Sequence, residues 1–235
     1  MNEGMGRMAT KGEGATPRER YRTQLRTEIK ERAWEQIAAS GASGLSLNAI
    51  ARQMGMSGPA LYRYFASRDD LITELVRDAY RSLADTMRDA AASGADLAGL
   101  GHALRTWALD DPQRYFLVYG TPVPGYHAPD DITTIASEIM AGLLDAAQPA
   151  GDPADASADA AAADPDEARL EAHLAEHGQW AADHPAAPPA LRRALSFWTR
   201  LHGILSLELA GHFTGMGLDP ALLYDTELQQ LTRRR

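Results

Sequence analysis

The chain contains no cysteine among its 235 residues. Disulfide staples and thiolate metal sites are therefore excluded, and a reducing cytoplasm is the expected compartment. Long apolar runs are missing as well. No stretch reaches the about 18 apolar residues that a membrane span needs. Positive charge is in deficit, with a formal net charge of −9. Strand-like alternation between turns is scarce, while Ala, Leu, Arg and Glu dominate, so an all-α fold is expected. Catalytic signatures are thin: there is no P-loop and no G-x-S-x-G element. The carboxylate pairs Asp69-Asp70 and Asp130-Asp131 fall at expected helix starts, where the helix dipole accounts for them. No cofactor is implied, and the chain is expected not to be an enzyme.

The acidic balance argues against a nucleic-acid partner until its distribution is read. Residues 1–81 hold 13 Lys and Arg against 10 Asp and Glu, and residues 82–235 hold 10 against 22. A basic module joined to an acidic body is the expectation. The polar, Gly-rich residues 1–16 have no apolar core of a secretory signal and read as a flexible tail.

Helical periodicity organises the rest. Leu25, Ile29, Ala33 and Ile37 form one stripe on an expected helix over 17–40. Ser46 suits the N-cap of a short helix, and Gly55 suits a left-handed residue closing it. Ser57 is the next N-cap candidate, with Pro59 in the first turn of a helix running to about Phe65. A longer helix is expected over 68–92, then one ending near Asp110, an aromatic one after Pro112, and one over 132–147. Residues 149–165, rich in Ala, Asp and Pro, read as a mobile loop, with a short helix over 166–182. A long helix is expected over 189–215. In it Leu191, Leu195, Trp198, His202, Leu205, Leu209 and His212 keep a 4-3-4-3-4-3 spacing, the a/d seam expected of a dimer interface. A last helix spans about 220–231.

The stretch "LSLNAIARQMGMSGPALYRYF" has the length and caps of a helix-turn-helix. Its inward positions are Leu47, Ile50, Ala51, Met54, Met56, Leu61 and Phe65. A helix entering the major groove offers its first residues to base edges. Here Ser57, Gly58, Pro59 and Ala60 would permit close backbone approach, and Ala60 could touch a thymine methyl. Asn48 and Arg63 are candidates for polar base contacts, and Ser46, Tyr62, Tyr64 and Arg68 for phosphate contacts.

The residues "SLNAIARQMGMSGPALYRYFASRDDLI" resemble the DNA-binding domain of the tetracycline-repressor (TetR) family. Ile50, Ala51, Gly55, Ser57, Leu61, Tyr62, Tyr64, Phe65, Arg68 and Leu71 match its pattern; Tyr64 stands where a His is usual and Arg68 where a Lys is usual. The resemblance implies a three-helix DNA-binding domain over 17–66 and a larger helical effector-binding and dimerisation domain over 67–235. It also implies a homodimeric repressor, released from a palindromic operator by a small molecule. "QRYFLVYGTPVPGYHAP" with Trp198, His202 and Gly203 is similar to a Trp-His-Gly (WHG) subset of that family. An apolar or aromatic effector would be lined by Trp107, Tyr115, Phe116, Tyr119, Tyr126, His127, Trp180, Trp198 and His202. The competing reading for each is ordinary core packing.

One rival remains. "HLAEH" at 173–177 fits H-x-x-E-H, in which His173 and His177 would bind zinc and Glu176 would act as general base of a metallopeptidase. No third ligand is paired with it in the sequence, and the segment lies in Ala/Asp-rich surroundings.

Overall fold

The structure, a computed structural model, describes residues 16–123, 125–148, 164–181 and 184–233. The expected tail over 1–16 and loop over 149–165 fall almost wholly outside the described residues. All regular structure among the described residues is helical: α1 (Pro17–Ser40), α2 (Leu47–Gln53), α3 (Gly58–Tyr62), α4 (Arg68–Ala92), α5 (Leu97–Asp110), α6 (Pro112–Tyr119), α7 (Asp130–Ala147), α8 (Pro165–Glu176), α9 (Pro188–Leu209) and α10 (Pro220–Thr232), with short 3₁₀ turns at Ala42–Gly44 and Gly178–Ala181. The chain divides into two compact units between Arg68 and Asp69.

In the first unit, α1 starts at a reciprocal cap. Glu19 N–H donates to Thr16 Oγ1 at 3.3 Å, and Thr16 N–H donates to the Glu19 carboxylate at 2.7 Å. Gly41, at φ 71°, ends the helix. Ile29, Ala33 and Ile37 of the α1 stripe are buried, and with Leu45, Leu47, Ile50, Ala51, Leu61 and Phe65 they make up a small apolar core. Ser46 caps α2 by accepting from Ala49 N–H. Gly55, at φ 65°, then turns the chain into α3. Met54 and Met56 are only half-buried, so they rim this core rather than fill it.

In the second unit, carboxylate caps start four helices: Asp96 for α5, Asp111 for α6, Asp164 for α8 and Asp219 for α10. The core is formed by Leu83, Met87, Leu100, Leu104, Ile139, Leu143, Phe197, Leu201, Leu205 and Tyr224, among others. Gly101 sets how closely α5 meets α10, because a Cβ there would stand 2.6 Å from Leu228 Cδ1. The Tyr224 hydroxyl donates to the carbonyl of that same glycine at 2.7 Å. A half-buried ion pair, Arg105 to Glu208 at 2.6 Å, ties α5 to α9.

Two helix ends in the second unit differ from expectation. α9 stops at Leu209, six residues before Gly215, because Gly211, Gly215 and Gly217 all take positive φ. His212 therefore lies in an exposed turn, off any helical seam. α8 stops at Glu176 and gives way to a 3₁₀ turn.

Candidate nucleic-acid interface and effector site

The first unit positions its candidate DNA-reading residues through a short helix held from behind. α3 has only five residues, and its turn continues through Arg63 in αR geometry, with Tyr64 N–H returning to the Leu61 carbonyl at 2.8 Å. Leu61 and Phe65 are fully buried and fix the inner face. The outer face carries exposed Ser57, Pro59, Tyr62 and Arg63, with Gly58, Ala60 and Tyr64 half-buried. Tyr62 is 45% exposed, which is high for an aromatic side chain on a packed helix. Ser57 occupies the N-cap position without a side-chain cap bond. The start of α2 reaches this face as well: a Cβ on Gly58 would sit 3.3 Å from Asn48 Oδ1. Asn48 is exposed, so the polar base-contact candidate and the glycine of α3 lie side by side.

Arg68, a phosphate-contact candidate, also makes a contact within the unit. Its Nη2 donates to the Ala42 carbonyl at 2.8 Å, so the guanidinium braces the turn after α1. Two other residues carry this unit without any spacing signal. Gln36 Oε1 accepts from Ser46 N–H at 2.9 Å and seats the start of α2. Arg26 Nη1 donates to the Tyr64 carbonyl at 2.6 Å, at the far end of the reading segment. Arg18, Arg20 and Arg22 are exposed along the first turns of α1 and add sequence-independent positive charge to the unit.

The second unit gathers most of the expected effector-site aromatics. Trp198 and Tyr119 each lie against the His202 ring, at 4.2 and 4.3 Å between centroids. Tyr115 stacks on His202 at 5.6 Å and meets Tyr119 at 5.4 Å and Phe116 at 5.7 Å. Tyr80 of α4, which the sequence did not single out, joins at 6.0 Å from Tyr119. The Tyr115 hydroxyl is well served: His202 Nδ1 is 3.0 Å away, Ser206 Oγ 2.9 Å and the His202 carbonyl 3.2 Å.

Two polar atoms of this cluster are not served. Tyr119 Oη and His202 Nε2 are buried without a hydrogen-bond partner, and so, outside the ring contacts around His202, is Tyr126 Oη. Each such group costs about 1–3 kcal/mol, so an unpaired set within one aromatic cluster calls for an explanation. Burial lowers the His202 pKa to about 4, leaving the ring neutral near pH 7. Burial likewise pushes the Tyr119 phenol well above its ordinary value.

Three expected lining residues stand outside the ring contacts around His202. Trp107 is core, with its indole N–H on Ser82 Oγ at 3.2 Å. Trp180 packs in a second cluster with Leu144, Leu174 and Leu191. His127 is exposed, because the Gly- and Pro-containing stretch between α6 and α7 carries it to the surface. Beside the core, α4 and α7 enclose an open groove of about 370 Å³ lined by Arg77, Asp78, Arg81, Asp131, Thr134 and Ile135. Arg77 to Asp131 at 2.6 Å and Arg81 to Glu138 at 2.7 Å bridge the two helices there. The Arg77 hydrogen bond lowers the Asp131 pKa.

The expected dimer seam separates into two groups. Leu191 and Leu205 are 5% and 0% exposed within one chain, because they face its own core. They cannot also form an interface. Leu195, Trp198, His202 and Leu209 are half-buried. The zinc reading finds no third ligand among the described residues. The His173 and His177 rings stack at 4.2 Å on the surface, and no group of three His, Cys, Asp or Glu able to hold a metal exists among the described residues.

An all-helical chain with a small helix-turn-helix unit and a larger helical unit is the architecture of a DNA-binding transcriptional regulator. Residues 29–75 match the bacterial regulatory proteins of the tetR family, and residues 97–231 match the tetracyclin repressor-like C-terminal domain. The HTH-type transcriptional regulator Rv1816 of Mycobacterium tuberculosis (strain ATCC 25618 / H37Rv) is 36% identical over 219 residues, covering 89% of this chain and 92% of that one. The crystal structure of the regulatory protein SCO4313 is 68% identical with a TM-score of 0.81, covering 92% of this chain and 99% of that one. A TetR/AcrR-family regulator from Thermobifida fusca YX-ER1 shares the fold at a TM-score of 0.53 and 18% identity, covering 90% of this chain and 100% of that one. The chain belongs to the TetR family of transcriptional regulators.

Proposed function

We propose that this regulator is a homodimeric repressor that holds a palindromic operator and leaves it when a small aromatic molecule enters the second unit. It acts by binding rather than catalysis, in the cytoplasm where its DNA is. The observation that carries the effector half of this reading is the aromatic cluster around His202, with its unpaired buried polar atoms. The DNA half rests on the exposed face built from Asn48, Ser57, Gly58, Pro59, Ala60, Tyr62 and Arg63, with phosphate contacts from Ser46 and Tyr64. Arg68, half-buried and bonded through Nη2 to the Ala42 carbonyl, is a further phosphate-contact candidate.

The dimer surface is proposed on a face of α9 and α10 that differs from the expected seam. Leu207 and Leu222 are 45% and 65% exposed, and Met216 and Leu218 in the turn between the helices are exposed too. Gly203 lies one turn before Leu207 on α9, with open space where a Cβ would be. An exposed glycine inside a helix costs about 1 kcal/mol relative to alanine, and close approach of a second copy's helix would offset that. Two such helices from each copy make a four-helix contact under two-fold symmetry, which fixes the spacing of two half-sites. Any effector must favour the spacing that does not fit DNA, or it shifts nothing.

The test is selection of bound sequences from random DNA by the full chain, repeated in the presence of a panel of aromatic metabolites. A palindromic site, lost on addition of one compound, is the expected result. Selection of a lone half-site would refute the dimer, and a site indifferent to every aromatic compound would refute the release mechanism.

A further inference from the structure

We infer that the molecule taken up by the His202 cluster is an uncharged aromatic carrying a hydroxyl group. The inference rests on reading that cluster as the effector site and goes on to fix the chemistry of its ligand.

The walls select a flat ring. Trp198, Tyr119 and Tyr115 present ring surfaces around His202 at 4.2–5.6 Å, the separation at which aromatic rings pack on one another. The rings touch each other in this structure, so a ligand enters by parting them, and Tyr119 sits in the middle of the series between Trp198, Tyr115 and Tyr80.

The unpaired atoms select the polar group. Tyr119 Oη is held protonated by burial and is a donor in search of an acceptor. His202 Nε2 is a donor or an acceptor, depending on which ring nitrogen carries the proton, since Nδ1 is engaged by Tyr115. A hydroxyl satisfies either arrangement: its oxygen accepts from Tyr119 while it donates to, or accepts from, Nε2. An ether or carbonyl satisfies only one tautomer, and a hydrocarbon leaves both atoms unpaired.

Charge is selected against. Arg105, whose guanidinium lies over the Tyr224 ring of the core, is ion-paired with Glu208, and at the groove Arg77 and Arg81 are held by Asp131 and Glu138. A carboxylate seated against Tyr119 would therefore be desolvated without a cation of its own. A cationic ligand finds the Glu208 charge already matched by Arg105, although Glu208 Oε2 and Arg105 Nε themselves have no hydrogen-bond partner.

The experiment uses the full-length protein and three probe series: phenol, 1-naphthol and 9-phenanthrol, each beside its parent hydrocarbon and its aromatic carboxylate. Binding is read by tryptophan fluorescence and calorimetry. At least one hydroxyl compound is expected to bind about tenfold or more tighter than its hydrocarbon and its carboxylate. Tyr119→Phe should abolish that preference, bringing the hydroxyl compound to the affinity of its hydrocarbon. This variant loses no hydrogen bond of the free protein, because the hydroxyl has none, and a melting temperature no lower than that of the wild type verifies its fold. A carboxylate that binds best, or a hydroxyl preference that survives Tyr119→Phe, overturns the assigned chemistry and leaves the location standing. If no series binds, or binding is indifferent to both Tyr119→Phe and Trp198→Ala, the location itself falls and the inference with it.

Discussion

The guanidinium of Arg26 lies over the ring of Phe65, 4.3 Å from its centroid. The same side chain donates to the carbonyl of Tyr64, where α3 has already ended and that oxygen has no helical partner. One residue of α1 thus clamps the end of the reading segment twice, through a charge-assisted hydrogen bond and a cation–π contact. Arg26→Ala should loosen residues 57–65 and destabilise the first unit by about 1–3 kcal/mol. Hydrogen exchange of the Leu61, Tyr64 and Phe65 amides should accelerate, and operator affinity should fall equally across operator variants. Unchanged exchange at those amides would show that Leu61 and Phe65 packing alone holds the segment.

The reading face itself makes a separable prediction. Tyr62→Ala removes an exposed phosphate-contact candidate and should weaken all operator variants by a similar factor, with no change in melting temperature. Asn48→Ala and Arg63→Ala should instead change the preferred sequence, by about 1–3 kcal/mol at the affected base pair. Arg68→Ala should do something else: with its guanidinium on the Ala42 carbonyl, its loss lowers stability along with affinity. Competition binding against a library of single-base operator variants distinguishes these outcomes. A Tyr62→Ala profile that is base-specific would move that tyrosine from the backbone to base readout.

The contrast between Tyr62 and Arg68 shows what the sequence could reveal. Chain-local physics was legible. Pro17 and Gly41 bracket α1, Ser46 caps α2, and Gly55 takes the left-handed turn, because each is a property of one residue and its near neighbours. The apolar stripe Ile29, Ala33 and Ile37 was legible for the same reason. Arg26 was not, since its partners lie 38 and 39 positions away and nothing in its spacing marks it. Periodicity also fails to name the surface it packs on. Leu191 and Leu205 keep a seam spacing, yet they turn into their own chain's core, while His212 keeps the spacing beyond the point where Gly211 ends the helix. The aromatic cluster was legible as composition, but the missing partners of Tyr119 and His202 exist only in three dimensions.

That division redirects the dimer test. Leu205→Glu places a charge in a fully buried site and should unfold the second unit rather than separate two folded copies. Leu207→Glu and Leu222→Glu change exposed positions and should leave the melting of a dilute monomer nearly unchanged. In a dimer they bury unpaired charges, which weakens association by roughly 3 kcal/mol, about a hundredfold in dissociation constant. Light scattering across a dilution series, paired with circular dichroism melts, reads both quantities. If Leu207→Glu and Leu222→Glu together leave a tight dimer, the interface lies on another face.

His202 makes the second unit sensitive to acid in a definite window. Burial lowers its pKa from 6.5 to about 4, so the folded chain keeps the ring neutral where the unfolded chain takes up a proton. Between those two values the unfolded state binds more protons, and stability must fall as pH falls. Above pH 7 the effect is absent, because both states are neutral. Below pH 4 it stops growing, because both are protonated. At pH 5 the loss attributable to this one ring is about 2 kcal/mol. His202→Gln removes the titrating group while leaving an amide of similar reach opposite Tyr115. Urea unfolding of the two proteins at pH 7.5 and pH 5 should then show the wild type losing about 2 kcal/mol more than the variant. Equal losses would mean that water reaches Nε2 in the folded chain, and in that case the unpaired nitrogen on which the ligand chemistry depends would already have its partner.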